Sequence, residues 1–390
     1  VSLEEERYDV AYERLAAAVD ILHDHGTAFQ SGLGLLRFAR AAYAADRIDE
    51  AVKLTTAAAT EFHRANRLDM LGKAYGQLVW QSQNPSDHEH WFKVYSDWRQ
   101  ANPLAEGHSQ VLAWHGVYWS LVYGEHRAGA DLIAQAMQLE TTLTWDPFTI
   151  AGTHWFLIEA VARTGDHAAT LERLDSFEDY LSDKTMYRAL IGEYFHLAAT
   201  LRADLNHRLG KGGISQFVEA NSEAAETLHG LQLRVRVSLE RNDLSDARVL
   251  RDRLVARTPS GVGTVMFSNL QLQTTLLSAR VSLADGDWSR ARDDLLAALE
   301  LAHSRHMLPS LLHSMVIATE GLEEDLAQEI RALAAKNPAT PYFLRKAPER
   351  STHARSKPTT DHEAAWSEAS RLCLRVLDAL RRPPAQLTPT

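Results

Sequence analysis

Three groups of residues in this 390-residue chain have types and spacings that could do chemistry. The first is histidine: His23/His25, His88/His90 and His303/His306/His313 cluster along the sequence, and on a helix His303 and His306 would share a face. Two imidazoles can begin a metal site, but no carboxylate or cysteine stands at a matching spacing, so solvated or hydrogen-bonded histidines are expected and no metal. The second is Gly210-Lys211-Gly212-Gly213, which lacks the upstream glycine and the following Ser/Thr of a phosphate loop and reads as a connection. The third is a set of rings and charges, Trp114, Tyr118 and Trp155 with Glu159, Arg236 and Arg280. Rings offer contact area at low entropic cost and the charged groups orient a guest, which is the mix expected of a small-molecule pocket. The alternative is that Trp114 and Trp155 fill the core between helices. No metal-protease, nucleophile-elbow or CxxC signature occurs, so no catalytic residue and no cofactor are expected. An enzyme would have to use Glu159, His154 or His196 as acid/base.

These residues need elements to hold them, and Leu276–Ala302 gives the pattern. It reads as two amphipathic helices joined at Gly286-Asp287, with small Ala279 and Ala291 where the helices meet and Leu295, Ala298 and Leu299 as a buried stripe. The Ala291 position recurs at Ala11, Ala51, Trp91, Gly129, Thr170, near Leu209 and at Ala247, a period of 38 to 44 residues. Turn signals recur with it at Asp46 to Ala51, Gly165-Asp166-His167 and Asn242-Asp243-Leu244. Between residues 70 and 100 the turn is Asn84-Pro85-Ser86-Asp87, where Ser86 or Asp87 is expected to cap the second helix. Residues 186–228 do not parse into a helix pair.

The unit resembles a tetratricopeptide (TPR) motif, although its period exceeds the standard 34 residues. The resemblance implies an all-α fold: a right-handed α-solenoid, or superhelix, of about eight TPR-like helix pairs. In its register the concave wall carries Leu36, Arg40, Tyr75, Trp114, Tyr118, Trp155, Glu159, Arg236, Leu276 and Arg280, and Trp114, Tyr118, Trp155 and Glu159 would converge. Residues 1–336 form the expected repeat domain, 337–361 a linker or mobile loop rich in Pro, Ser, Thr, Lys and Arg, 362–381 a C-terminal helix, and 382–390 a hinge. The first helix would lack its partner and the repeat array would be cut at its start.

Charge and cysteine content narrow the function. A net charge of −10 argues against gripping nucleic acid, because that affinity comes from clustered Lys and Arg on phosphates. No apolar run approaches the roughly 20 residues of a membrane span, and the single Cys373 fits a cytoplasmic location. After Pro383-Pro384, the tail Leu387-Thr388-Pro389 resembles the opening of the helix-turn-helix domain of LuxR-type regulators, with Thr390 where that family usually has Arg. A long-period TPR array ahead of such a domain is the order of the large ATP-dependent LuxR-type activators, of which the maltose-operon activator is one. The resemblance implies a sensor region that binds a small-molecule inducer or a protein modulator, controls homo-oligomerisation and makes no direct DNA contact. The rival expectation is a scaffold whose groove holds a peptide partner.

Overall fold

The computed structural model describes residues 2–45, 47–82, 84–103, 108–140, 147–184, 187–212, 214–258, 265–319, 322–336 and 362–381. The expected linker at 337–361 and hinge at 382–390 lie outside the described residues. Every regular element among the described residues is helical, and no helix there is long and apolar enough to cross a membrane.

The chain folds as two compact units. Unit 1 holds helices α1 (Ser2–His25), α2 (Ala28–Ala44), α3 (Ile48–Arg64), α4 (Leu68–Gln81), α5 (Pro85–Ala101) and α6 (His108–Tyr118), with the later part of α7 (His126–Glu140). From α1 to α5 each helix packs on the next, and α6 returns to α4. Phe62, Leu71, Tyr95, Trp98 and Val111 form the core. Close approach depends on Gly72, where an added Cβ would lie 2.2 Å from the Trp98 ring. Helix α5 begins earlier than the sequence suggests. Asn84, rather than Ser86 or Asp87, is the cap, its side-chain oxygen accepting the Asp87 N–H at 2.9 Å. The reason is Pro85, which has no N–H to satisfy and a φ suited to the first helical position.

Unit 2 begins with a π-helical turn, Trp119–Tyr123, and the first residues of α7. It continues through α8 (Pro147–Thr164), α9 (His167–Asp183), α10 (Arg188–Arg208), the short α11 (Ile214–Ala220) and α12 (Ser222–Ala225), α13 (Leu228–Glu240), α14 (Leu244–Arg257) and most of α15 (Val265–Ala284). Then follow α16 (Trp288–Ser304), α17 (Leu308–Ala318), α18 (Glu324–Lys336) and α19 (His362–Arg381). Two short helices stand where the 186–228 segment resisted parsing. Helix α19 is no appendage: it packs on α16, α17 and α18 and buries Leu372, Cys373 and Val376.

The turns explain why these helices end where they do. Gly165, Asn242 and Gly286 have φ of 82°, 57° and 74°, left-handed values that stop a helix and that Gly and Asn adopt most readily. The following Asp then accepts from the N–H three residues on: Asp166 from Ala169 at 3.0 Å, Asp243 from Asp246 at 3.1 Å and Asp287 from Arg290 at 3.1 Å. The backward bonds close the previous helix, Asp243 N–H donating to Ser238 and Asp287 N–H to Ser282, both at 2.9 Å. A two-residue signal thus ends one helix and starts another. Ala279 and Ala291 are both fully buried.

Candidate ligand cavity

The residues singled out in the sequence divide between the two units. Trp114 and Tyr118, on α6, belong to unit 1. Trp114 packs on Trp80 with centroids 4.8 Å apart, and Tyr118 stacks on His88 at 3.7 Å. There the rings fill space rather than enclose it. Phe92 covers His115 at 3.5 Å, and His88 Nε2 lies 2.8 Å from His115 Nδ1 while His88 Nδ1 lies 3.3 Å from the Val79 carbonyl oxygen. Both imidazoles are held neutral, His88 at about 3 and His115 at about 4, chiefly because burial penalises their charged forms. With both neutral, His88 donates from Nδ1 to the carbonyl and accepts at Nε2 from His115.

Trp155, Glu159, Arg236 and Arg280 lie in unit 2 and line one cavity of about 300 Å³. Its walls are helix faces read every three or four residues: Trp155, Glu159 and Arg163 on α8; Leu197, Leu201, Asp204 and Arg208 on α10; His229, Leu233 and Arg236 on α13; Asn269, Leu272, Leu276 and Arg280 on α15; and Pro309 with His313 on α17. This is the helical period turned inward. Helix α17 packs on the π-helical turn, and Leu121 of that turn also lines the cavity.

Trp155 serves two purposes. It is 6% exposed and packs with Phe177, Ile158 and Leu174 as part of the unit 2 core, while one edge borders the cavity. Of the other candidate acid/base groups, His154 stacks on Tyr180 and Phe177, and His196 sits 3.9 Å from Glu223; neither lines the cavity.

No family model matches the chain, and no curated protein does. Its chemistry is read from the site itself.

Electrostatics in the cavity is set by enclosure. Glu159 keeps part of its surface accessible on the cavity side yet has protein all round it, and this desolvation raises its pKa above the ordinary carboxylate value, with the Arg163 charge acting the other way. Burial lowers His229 to about 4, helped by Arg163, and His313 to about 3, helped by Arg280. Asp204 differs, since Arg208 donates to its Oδ1 at 2.8 Å and Arg236 donates to the same oxygen. Gln232 is held by the Thr274 hydroxyl at 3.3 Å. The arrangement can bind and orient a guest through neutral imidazoles, an amide and guanidinium groups. Arg163, one turn beyond Glu159, and His229, two turns before Arg236, carry the same helical spacing as the residues singled out in the sequence, and that spacing is the signal by which they could have been found. The clustered histidines have other uses: His303 hydrogen-bonds Ser370 at 2.7 Å and, with His306, stacks on Trp366. Among the described residues no group of three His, Cys, Asp or Glu is placed to hold a metal ion.

Proposed function

We propose that this chain is the sensor region of a LuxR-type transcriptional regulator, a right-handed solenoid of TPR-like helix pairs whose unit 2 cavity binds a small-molecule inducer. Occupancy would control homo-oligomerisation, and DNA would be bound elsewhere. The observation that carries the ligand-binding part is the cavity itself: five helices each turn one face toward a space of about 300 Å³, within the size range of small-molecule sites. The recurring turn motif and the 38-to-44-residue period support the repeat reading, and Leu387-Thr388-Pro389 supports the regulator.

The test is a chemically broad library of small metabolites screened by thermal unfolding. A ligand specific to the folded state at about 100 times its dissociation constant adds roughly 2.7 kcal/mol of stability, so the cognate compound raises the unfolding midpoint and shifts Trp155 fluorescence. A library in which no compound does so overturns the sensor reading. Light scattering with and without that compound checks the oligomer, and the chain alone shifts no duplex DNA at physiological salt, given its net charge of −10.

A further inference from the structure

The charge inside the cavity runs against the charge of the chain. The chain is net −10, yet the cavity collects four guanidinium groups, Arg163, Arg208, Arg236 and Arg280, against two carboxyl groups, Glu159 and Asp204. Four positive charges less at most two negative ones leave an excess of at least two. The excess is localised. Asp204 takes Arg208 and Arg236, whereas among the described residues neither Arg163 nor Arg280 has a hydrogen-bonded partner or a carboxylate within 4 Å. Glu159, the carboxyl whose field reaches Arg163, is the one that enclosure pushes toward its neutral form. Arg163 is half-buried on α8, and Arg280 stands in the accessible part of the wall on α15. A guanidinium with no carboxylate partner at the wall of a partly enclosed cavity favours an anion there, and its fork suits carboxylate and phosphate oxygens. Leu197, Leu201, Leu233 and Leu272 add apolar wall, beside polar groups such as Thr200, Gln232 and Asn269.

We propose that the cavity selects a small amphipathic anion, with an apolar body against the leucines of α10, α13 and α15 and a carboxylate or phosphate group held by Arg163 and Arg280. This rests on the sensor reading above and narrows its ligand to one chemical class. Neutral imidazoles suit such a guest, because His229 and His313 add hydrogen-bonding capacity at the headgroup without a charge of their own.

Four probes of one chain length separate the possibilities: octanoate, octyl phosphate, octanol and octylammonium, each titrated into the full chain and followed by Trp fluorescence and the unfolding midpoint. Octanoate or octyl phosphate binds, and the stronger of the two identifies the headgroup. Octanol binds about 10- to 100-fold more weakly, the worth of one or two charge-assisted hydrogen bonds, and octylammonium does not bind. Arg163→Gln and Arg280→Gln each weaken the anion about ten-fold and leave octanol unchanged. Arg280 is exposed, so its variant keeps the fold even where Arg163→Gln disturbs it. Octanol binding as tightly as the anions, or anion binding unaffected by Arg280→Gln, overturns the anion inference while leaving a ligand cavity. Binding by none of the four also overturns it, and the library screen then decides the cavity separately.

Discussion

Both units bury aromatic rings and histidines, yet they use them in opposite ways. In unit 1 the rings of His88, Phe92, His115 and Tyr118 stack on one another within 3.5 to 5.0 Å of their neighbours, and the polar demand of the imidazoles is answered internally by each other and by the Val79 carbonyl. In unit 2 Trp155 packs away from the space it borders, and two of the histidines lining that space, His229 and His313, come with arginines. The lesson is that a ring plus a charge on a helix face specifies nothing until the opposite face is known. Where the facing helix supplies another ring, the space closes. Where it supplies leucine and arginine, the space stays open.

The largest test of this contrast is Trp155→Ala. If Trp155 is chiefly core, the variant loses about 3–5 kcal/mol, read from denaturant unfolding. A loss near zero would return it to a purely ligand-facing role and undo the division between packing and lining residues.

Acid comes next. His88 and His115 have folded-state pKa values well below the 6.5 of an ordinary imidazole, so between the two values the unfolded chain binds more protons than the folded one. Stability therefore falls as pH drops below about 6.5 and levels off below about 3, with up to about 2 kcal/mol lost per histidine between pH 6.5 and 5. Unfolding midpoints across that range check it. A flat profile would mean that neither imidazole is neutral by burial. The double variant His88→Phe/His115→Phe, which removes both partners together, makes the slope shallower by those two groups' share and leaves the share of His229 and His313.

A smaller effect separates filled from open space. Gly72→Ala forces a methyl against the Trp98 ring and costs about 1–3 kcal/mol by overpacking. Leu201→Phe also adds volume, but into the cavity, and its stability stays within about 1 kcal/mol of the parent while ligand binding is lost. Equal costs for the two would erase the contrast. The smallest change is Arg280→Gln, expected within about 0.5 kcal/mol in stability because the residue is exposed and has no hydrogen-bonded partner among the described residues.

What was legible in the sequence was what is local. Gly286-Asp287 and Asn242-Asp243 announce a helix stop and a helix start through the conformational preferences of two adjacent residues, and periodicity carries the buried stripe of Leu295, Ala298 and Leu299. Glu159, Arg236 and Arg280 line the cavity because a helical register reads the same on every helix of a unit. Trp114 and Tyr118 obey that register too, but their companions are Trp80 and His88, and no local pattern reveals which helix will face them. Asn84, Ser86 and Asp87 are equally good cap acceptors by type. Only the fixed φ of Pro85 decides among them. The division of the chain at Tyr118 and the π-helical turn after it have no signal that a one-dimensional period can carry.

The packing of α17 on the turn at Trp119–Tyr123 bears on how the protein folds. Most helix contacts join neighbours in sequence, which a chain forms quickly because little entropy is lost in closing short loops. This one joins residues 119–123 to residues 308–318 and must draw together ends separated by the whole of the intervening helices. Loop entropy grows only logarithmically, about 0.6 kcal/mol per doubling, so the closure is thermodynamically affordable but late. The contact that brings Leu121 to the cavity wall therefore forms after the helix pairs that are neighbours in sequence.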